Sequence, residues 1–293
     1  MSESNHRIET HVLVESMGAT PVDLLQSATG LSKQRIKRAM TNGAVWLTRG
    51  NNTRRLRRVK RALHIGDEVH LYYDARILAE MPEEPRLIAD VGGYSVWCKP
   101  YGLLSQGSKW GDHCTLVRWA EHHLLPERPA FTVHRLDRAA NGLILVAHSK
   151  RMAAALSALF QERVVEKRYR AVASGDFSSQ PNPLRVEHPI DAKAAVSEFS
   201  LHSVSTDGRQ SLVDVRIETG RKHQIRRHLA ELGHPVIGDR LYGAGADDGV
   251  DLQLTAYLLA FHCPVSNQLV EYRLPLDTGF TGIRRTTLEK PVA

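Results

Sequence analysis

Residues 218–243 read ETGRKHQIRRHLAELGHPVIGDRLYG. Gly220 closes the alternating apolar run SLVDVRIETG, a strand pattern, and Gly233 closes the segment that follows. From about His223 onward, Ile225, Leu229 and Leu232 recur at helical spacing and form one apolar stripe. Arg226 stands about 100° from Ile225 and borders that stripe, whereas Arg227 faces the opposite side. An arginine at the margin of a core usually requires a carboxylate partner. His223 and His228 are five residues apart, a poor spacing for two ligands on one helical face, so no metal site is expected here. These histidines are better suited to hydrogen bonds or to phosphate.

A second charged stretch is FTVHRLDRAANGLILVAHSK, residues 131–150. If this stretch runs extended into its turn, Arg135 and Asp137 share a face and Leu136 points into the core. Arg138 then alternates away. Cations close to a carboxylate favour its charged form, and a fixed, ionised aspartate can serve as nucleophile or general base. Taken alone, the segment reads more simply as a surface Asp–Arg turn. HRLDRAAN also approximates a kinase catalytic loop, but its aspartate falls one position late, and no glycine-rich loop, strand lysine or DFG accompanies it.

The rest of the carboxy-terminal two thirds alternates strands and helices. YSVWCKP (94–100), KRYRAVASG (167–175) and EYRLPL (271–276) read as strands. RMAAALSALFQERVV places Met152, Leu156, Leu159, Phe160 and Val164 on one helical face. Such a mixture indicates an α+β domain from about residue 90 to 293.

The amino-terminal part is different in charge. The chain carries a formal net charge of +7, and its 293 residues suffice for two domains. Between Leu24 and Gly66 there is no Asp or Glu, yet eleven Lys or Arg. Removing those eleven from the 39 cations leaves 28 against 32 acids, so the basicity is local. A solvated basic face or an anionic-membrane contact would also be basic, but an acid-free window of this length points to nucleic acid. Within it, GLSKQRIKRAMTNGAVWL predicts a helix with Ser32 as N-cap, Ile36 and Met40 on the inner face, and Gly43 beyond the end. A strand at Val45–Thr48, the loop RGNNTRRLRRVKR and a turn into the strand of HIGDEVHLYY follow. This unit resembles the S4 RNA-binding domain over about Pro21 to Tyr73, with more arginine in the loop than that pattern requires. The expected organisation is an extension at 1–19, an S4-like domain at 20–74, a Pro- and acid-containing linker at 75–89, and a catalytic domain at 90–293. Lys33, Arg35, Arg38, Arg54, Arg55, Arg57 and Arg58 are the candidate RNA contacts of the first domain.

In the second domain the motifs carry a resemblance. HRLDRAANGLILVA is similar to the signature of RluA-type pseudouridine synthases, and TGRKHQIRRHLAELGHPVIGDRLYG to their second hallmark. KRYRAV resembles the Lys-x-Tyr strand of that family, and WCKPYGLLSQ its Lys-Pro-x-Gly-Leu entry strand. The likeness spans about residues 88–277. It implies the pseudouridine synthase fold, a mixed, largely antiparallel sheet flanked by helices, beside a small N-terminal S4-like α/β domain. It also implies that Asp137 is the catalytic aspartate, that Tyr169 stacks on the target base, and that Arg226 pairs with Asp137. Arg135 matches the residue that enters the RNA where the target nucleotide leaves, and Arg221 and His223 are further RNA contacts. A base must be extruded before such chemistry, and an inserted arginine with a stacking tyrosine offsets part of that cost. His134 would shape the turn. Two departures stand out: Ala140-Asn141 replaces the usual Thr-Ser, and Thr255 stands where the family commonly has His, beside the pattern's apolar Leu254.

The expected activity is isomerisation of uridine to pseudouridine in a structured RNA, with ribosomal RNA the first choice of target and transfer RNA the alternative, and with no cofactor or metal. The competing reading is a non-catalytic RNA-binding or ribosome-assembly factor with the same fold. A membrane-docking protein is a third reading, which the Arg–Tyr–Asp set does not support. No stretch approaches the roughly 20 apolar residues of a membrane span, and the polar MSESNHRIET is unlike a signal peptide. Cys98, Cys114 and Cys263 form no CxxC pair. A cytoplasmic monomer is the resulting expectation.

Overall fold

The computed structural model describes residues 7–243 and 249–276. The chain divides into two compact units. One comprises residues up to Pro82 together with Leu104–Arg128, the other Glu83–Leu103 together with residues from Pro129 onward. The sequence reading assigned all of 90–293 to one domain. Leu104–Arg128 instead packs with the amino-terminal unit.

The first unit holds β1 (Arg7–Leu13), α1 (Pro21–Thr29), α2 (Lys33–Thr41), β2 (Val45–Arg49), β3 (Asn52–Arg55), β4 (Glu68–Asp74), α3 (Ala75–Ala79) and α4 (Leu116–His123). Its sheet runs β1-β4-β2-β3. Thr20 caps α1, and Ser32 caps α2 by accepting from the Arg35 amide. Ile36, Ala39 and Met40 are buried on α2, as its spacing predicts, and pack with Val45, Leu47, Val69 and Leu71 from one face of the sheet. Two expectations are corrected. Residues 1–19 are not a bare extension, because β1 pairs with β4 from Arg7↔Asp74 to Leu13↔Glu68. The linker at 75–89 contains α3, where Asp74 accepts from the Arg76 and Ile77 amides and Leu78 is buried.

The second unit is built on one mixed, largely antiparallel sheet. It contains β5 (Arg86–Asp90), β6 (Tyr94–Lys99), β7 (Phe131–Thr132), β8 (Asn141–Ala147), α5 (Lys150–Gln161), β9 (Glu166–Ser174), β10 (Leu184–Val186), β11 (Ser197–Val204), β12 (Gln210–Ile217), α6 (Gln224–Glu231), β13 (Leu254–His262) and β14 (Leu269–Arg273). The order is β10-β11-β12-β9-β13-β8-β6-β5, with β14 on β13 and β7 on β8. β5 thus begins inside the expected linker. The parallel pairing in this sheet joins β8 to β13 through Thr255↔Asn141 and Ala256↔Gly142. Gly142 is required there, since a Cβ would collide with the Ala256 carbonyl oxygen and φ is +113°. On α5, Leu156 is fully buried with Met152, Leu159 and Phe160 against it. Val164 does not join them: α5 ends at Gln161, and Val164 is 56% exposed.

Candidate active site

The loop between β7 and β8 is held from three sides before any functional group is considered. His134 turns inward, stacks on Phe160 with ring centroids 4.4 Å apart, and accepts the Leu145 amide at Nε2 over 3.0 Å. Burial, aided by the charge of Lys167, pushes the His134 ring down to about 3, so it stays neutral and anchors the turn. Leu136 is buried. Beneath the loop, Lys99 is fully buried and its ammonium donates to the carbonyls of Pro100, Leu103 and Arg138 at 2.9, 2.8 and 3.4 Å. Burial pushes Lys99 down to about 7, while the charge of Asp137 works in the opposite sense. Three carbonyl dipoles solvate this cation in place of water.

With Leu136 turned in, Arg135 and Asp137 emerge on the other side, as alternation predicts. Both line a cavity of about 310 Å³, together with Tyr169, Leu254, Gly220 and the start of α6. Arg138 turns away, its Nε donating to the Gly102 carbonyl at 3.2 Å. Tyr169 comes from β9, between β12 and β13 in the sheet, and is 8% exposed. Burial first, and then the Asp137 charge, push its phenol above the ordinary range, so its ring is a neutral, apolar wall. The expected trio of Asp137, Tyr169 and Arg226 therefore lines one cavity.

The pairing within it differs from the expectation. Arg226 Nη1 lies 3.6 Å from Asp137 Oδ2, but its Nε and Nη2 donate to both oxygens of Asp239 at 2.7 and 2.6 Å. Asp239 was overlooked although it sits in the same motif, thirteen residues beyond Arg226. The available signal was that a buried arginine has more donors than one partly exposed carboxylate can satisfy. The Asp239 side chain is fully buried and also accepts the Leu241 and Tyr242 amides. Burial alone would raise this carboxyl, but those donors and Arg226 outweigh it and hold it below the usual range. Burial likewise opposes the charge of Arg226, and Asp239 and Asp137 together overcome it.

His223 adds a second cation-capable group. It adopts φ 56° at the N-terminus of α6, which aims its ring back at the loop. Nδ1 meets the Tyr242 hydroxyl at 3.0 Å and Nε2 lies 3.8 Å from Asp137 Oδ1. Burial lowers His223 more than Asp137 raises it, leaving a ring that can donate one hydrogen bond without a full charge. Arg221 lines the cavity while its Nε donates to the Ala194 carbonyl at 2.8 Å. His228 is in the core, bonded to Ser197 and to the His188 carbonyl. Of the two departures, Asn141 and Thr255 face each other across the parallel β8–β13 pairing, whereas Ala140 lines the cavity.

The candidate RNA contacts of the first unit fall into two groups. Arg35, Arg54 and Arg58 are exposed and have no side-chain partner among the described residues. The others are engaged within their own unit. Lys33 pairs with Asp23 at 2.6 Å and Arg38 donates to the Leu78 carbonyl at 3.1 Å. Asp112 accepts from Arg55 at 3.0 Å and also from Arg57, and Arg55 stacks on Trp46 with 4.3 Å to the ring centroid.

The sequence pattern of the RNA pseudouridylate synthase family matches residues 93–231, a span that contains the loop, β9 and α6. An "Uncharacterized RNA pseudouridine synthase" of Aquifex aeolicus is 29% identical over 292 residues, covering 89% of this chain and 90% of that one. The "Ribosomal large subunit pseudouridine synthase D" of Zymomonas mobilis is 32% identical over 169 residues, half of this chain and 51% of its own. Among solved structures, human RNA pseudouridylate synthase domain containing 1 has the same fold: TM-score 0.56, 24% identity, covering 67% of this chain and 86% of that one. A loop carboxylate, a buried tyrosine and a doubly anchored arginine around one cavity thus lie within or just beyond residues 93–231, the span that matches an RNA pseudouridine synthase domain.

Proposed function

We propose that Asp137 carries the reaction on a uridine swung out of a structured RNA. The glycosidic bond from C1′ to N1 breaks, the uracil turns within the cavity, and a bond from C1′ to C5 forms. The C5 hydrogen leaves as a proton and N1 takes one up, so the product is an isomer of the substrate. Asp137 serves either by bonding to C1′ or by removing a ribose proton, and both routes need a fixed, charged carboxylate facing the sugar. The observation that carries this reading is the opening of Asp137, 21% exposed, into the cavity it shares with Tyr169, with Arg226 and His223 at 3.6 and 3.8 Å. Tyr169 supplies the surface on which the base turns, and Arg135 occupies the gap the nucleotide leaves.

Residues 20–74 act as an S4-like RNA-binding domain in this proposal, and the exposed Arg35, Arg54 and Arg58 support it by offering charge to phosphates. Ribosomal RNA is the proposed target, in keeping with the name of the Zymomonas mobilis relative. Chemical mapping of pseudouridine in RNA from cells carrying wild-type protein, Asp137→Asn or no protein tests the whole. The expected result is one or more ribosomal uridines modified only by the wild type. Modification by Asp137→Asn at the wild-type rate would remove Asp137 from the chemistry.

A further inference from the structure

Lys167 is a cation without an anion. It lies on β9 two residues before Tyr169, so the two side chains leave the same face of the strand, about 6.6 Å apart along it. Its Nζ is 5.8 Å from the centroid of the Phe160 ring and 4.0 Å from the position a Cβ would take on Gly220. Gly220 lines the cavity, and no side chain stands between the ammonium and that backbone. No described residue accepts a hydrogen bond from Lys167 or pairs with it as an acid.

The surroundings give the charge little compensation. Burial lowers the ammonium, and Arg163, of the same sign, lowers it further. His134, its neighbour behind Phe160, is neutral. A distant ring face returns only a small part of what a half-buried ammonium loses on leaving water. Other cations of this unit that are as well covered have acceptors: Lys99 has three carbonyls, Arg170 has Asp214 and Arg226 has Asp239. Lys167 alone among these has no acceptor among the described residues, and its Nζ sits beside Gly220 of the cavity lining. The anion of an RNA chain is its phosphodiester, and a base stacked on Tyr169 brings the phosphates of its own strand within a nucleotide of this position.

We propose that Lys167 binds a backbone phosphodiester of the RNA strand, at or next to the nucleotide held against Tyr169. This rests on the pseudouridine synthase reading of the site. Lys167 is a binding residue here, and its contribution appears in affinity and in salt dependence before it appears in turnover.

The probe is an oligonucleotide spanning a uridine that the wild-type protein modifies, measured for binding between 0.05 and 0.3 M salt, an experimental range of about one Debye-length halving. Loss of one phosphate contact on a single strand lowers the salt slope by about 0.7 and affinity by about fivefold near 0.1 M salt. Lys167→Gln is expected to show both, and Lys167→Arg is expected to keep the wild-type slope. In parallel, neutral methylphosphonate is placed at each linkage around the target uridine. One linkage should weaken wild-type binding about fivefold and leave Lys167→Gln unaffected. An unchanged slope in Lys167→Gln overturns the proposal, as does a weaker affinity with no change in slope, which assigns Lys167 to a base oxygen. If Lys167→Gln fails to fold, the wild type and Lys167→Arg decide, and absence of any sensitive linkage in both overturns it. Failure of the wild type to modify any uridine is a separate outcome that overturns the enzymatic reading itself.

Discussion

Arg226 divides its guanidinium between two carboxylates, giving Nε and Nη2 to the buried Asp239 and leaving Nη1 3.6 Å from Asp137. The buried pair is the mount, and the free edge is what the cavity receives. An Arg226 held only by Asp137 would follow that side chain; held by Asp239, it keeps its place when Asp137 moves.

Asp239→Asn is therefore expected to damage both stability and turnover. Breaking a buried pair while leaving the arginine in place costs about 3–5 kcal/mol. Thermal unfolding checks the first effect and pseudouridine mapping at permissive temperature the second. Wild-type turnover in a folded Asp239→Asn protein would show that Arg226 needs no mount.

Tyr169 separates a ring from its hydroxyl. Burial keeps the phenol neutral, and no hydrogen bond to its oxygen is among those of the described residues. Tyr169→Phe is expected to retain turnover within a few-fold. Tyr169→Leu loses base stacking worth about 1–3 kcal/mol, or roughly 5- to 150-fold in rate or affinity. Single-turnover rates on the mapped RNA distinguish the two.

Acid weakens the amino-terminal unit through Asp67. This buried carboxylate accepts from Arg49 at 2.8 and 2.6 Å and from the His64 amide at 2.9 Å. The Arg49 hydrogen bonds, over an opposing effect of burial, pull it down to about 2. Because the folded value lies below the unfolded one, the contribution is complete above the ordinary carboxylate range near pH 4. It fades as pH falls toward 2. It amounts to about 2 kcal/mol. Urea unfolding of wild type and Asp67→Asn at pH 6 and pH 3 should show the gap between them narrowing in acid.

The arginine loop should respond in two ways. Arg54→Gln with Arg58→Gln removes two exposed charges and should lower the slope of RNA affinity against salt by about 1.4–1.8. Arg55→Gln with Arg57→Gln instead strips Asp112 of its partners, and the expected effect is a lower Tm with a smaller change in slope. Binding titrations and thermal melts on the two double variants check this.

Residues 131–137 were legible because alternation alone sorts side chains to opposite faces, and the cavity keeps that sorting; Tyr169 was legible only through the family resemblance of its strand. Arg226 was legible as an arginine bordering a stripe, but its partner was not. The choice between Asp137 and Asp239 depends on how the chain returns after Gly233, which no local spacing encodes. The strand at Arg7–Leu13 was missed for a related reason. Its neighbour in the sheet is more than fifty residues away, and although RIETHVL alternates, only Ile8 and Val12 reach the core, so the apolar signal is short. The short helix after Asp74 was hidden by the prolines that follow it.

The first unit is discontinuous in sequence: it takes in Leu104–Arg128 after the chain has already begun the second sheet. The polypeptide therefore passes from one unit to the other three times. A shortened chain starting at Glu83 would retain Lys109, whose carbonyl accepts the Trp46 indole, and Asp112, without the Trp46, Arg55 and Arg57 that cover them. Such a fragment would carry a stranded segment rather than end at a clean domain border. The amino-terminal unit is therefore not an attachment that a single cut removes.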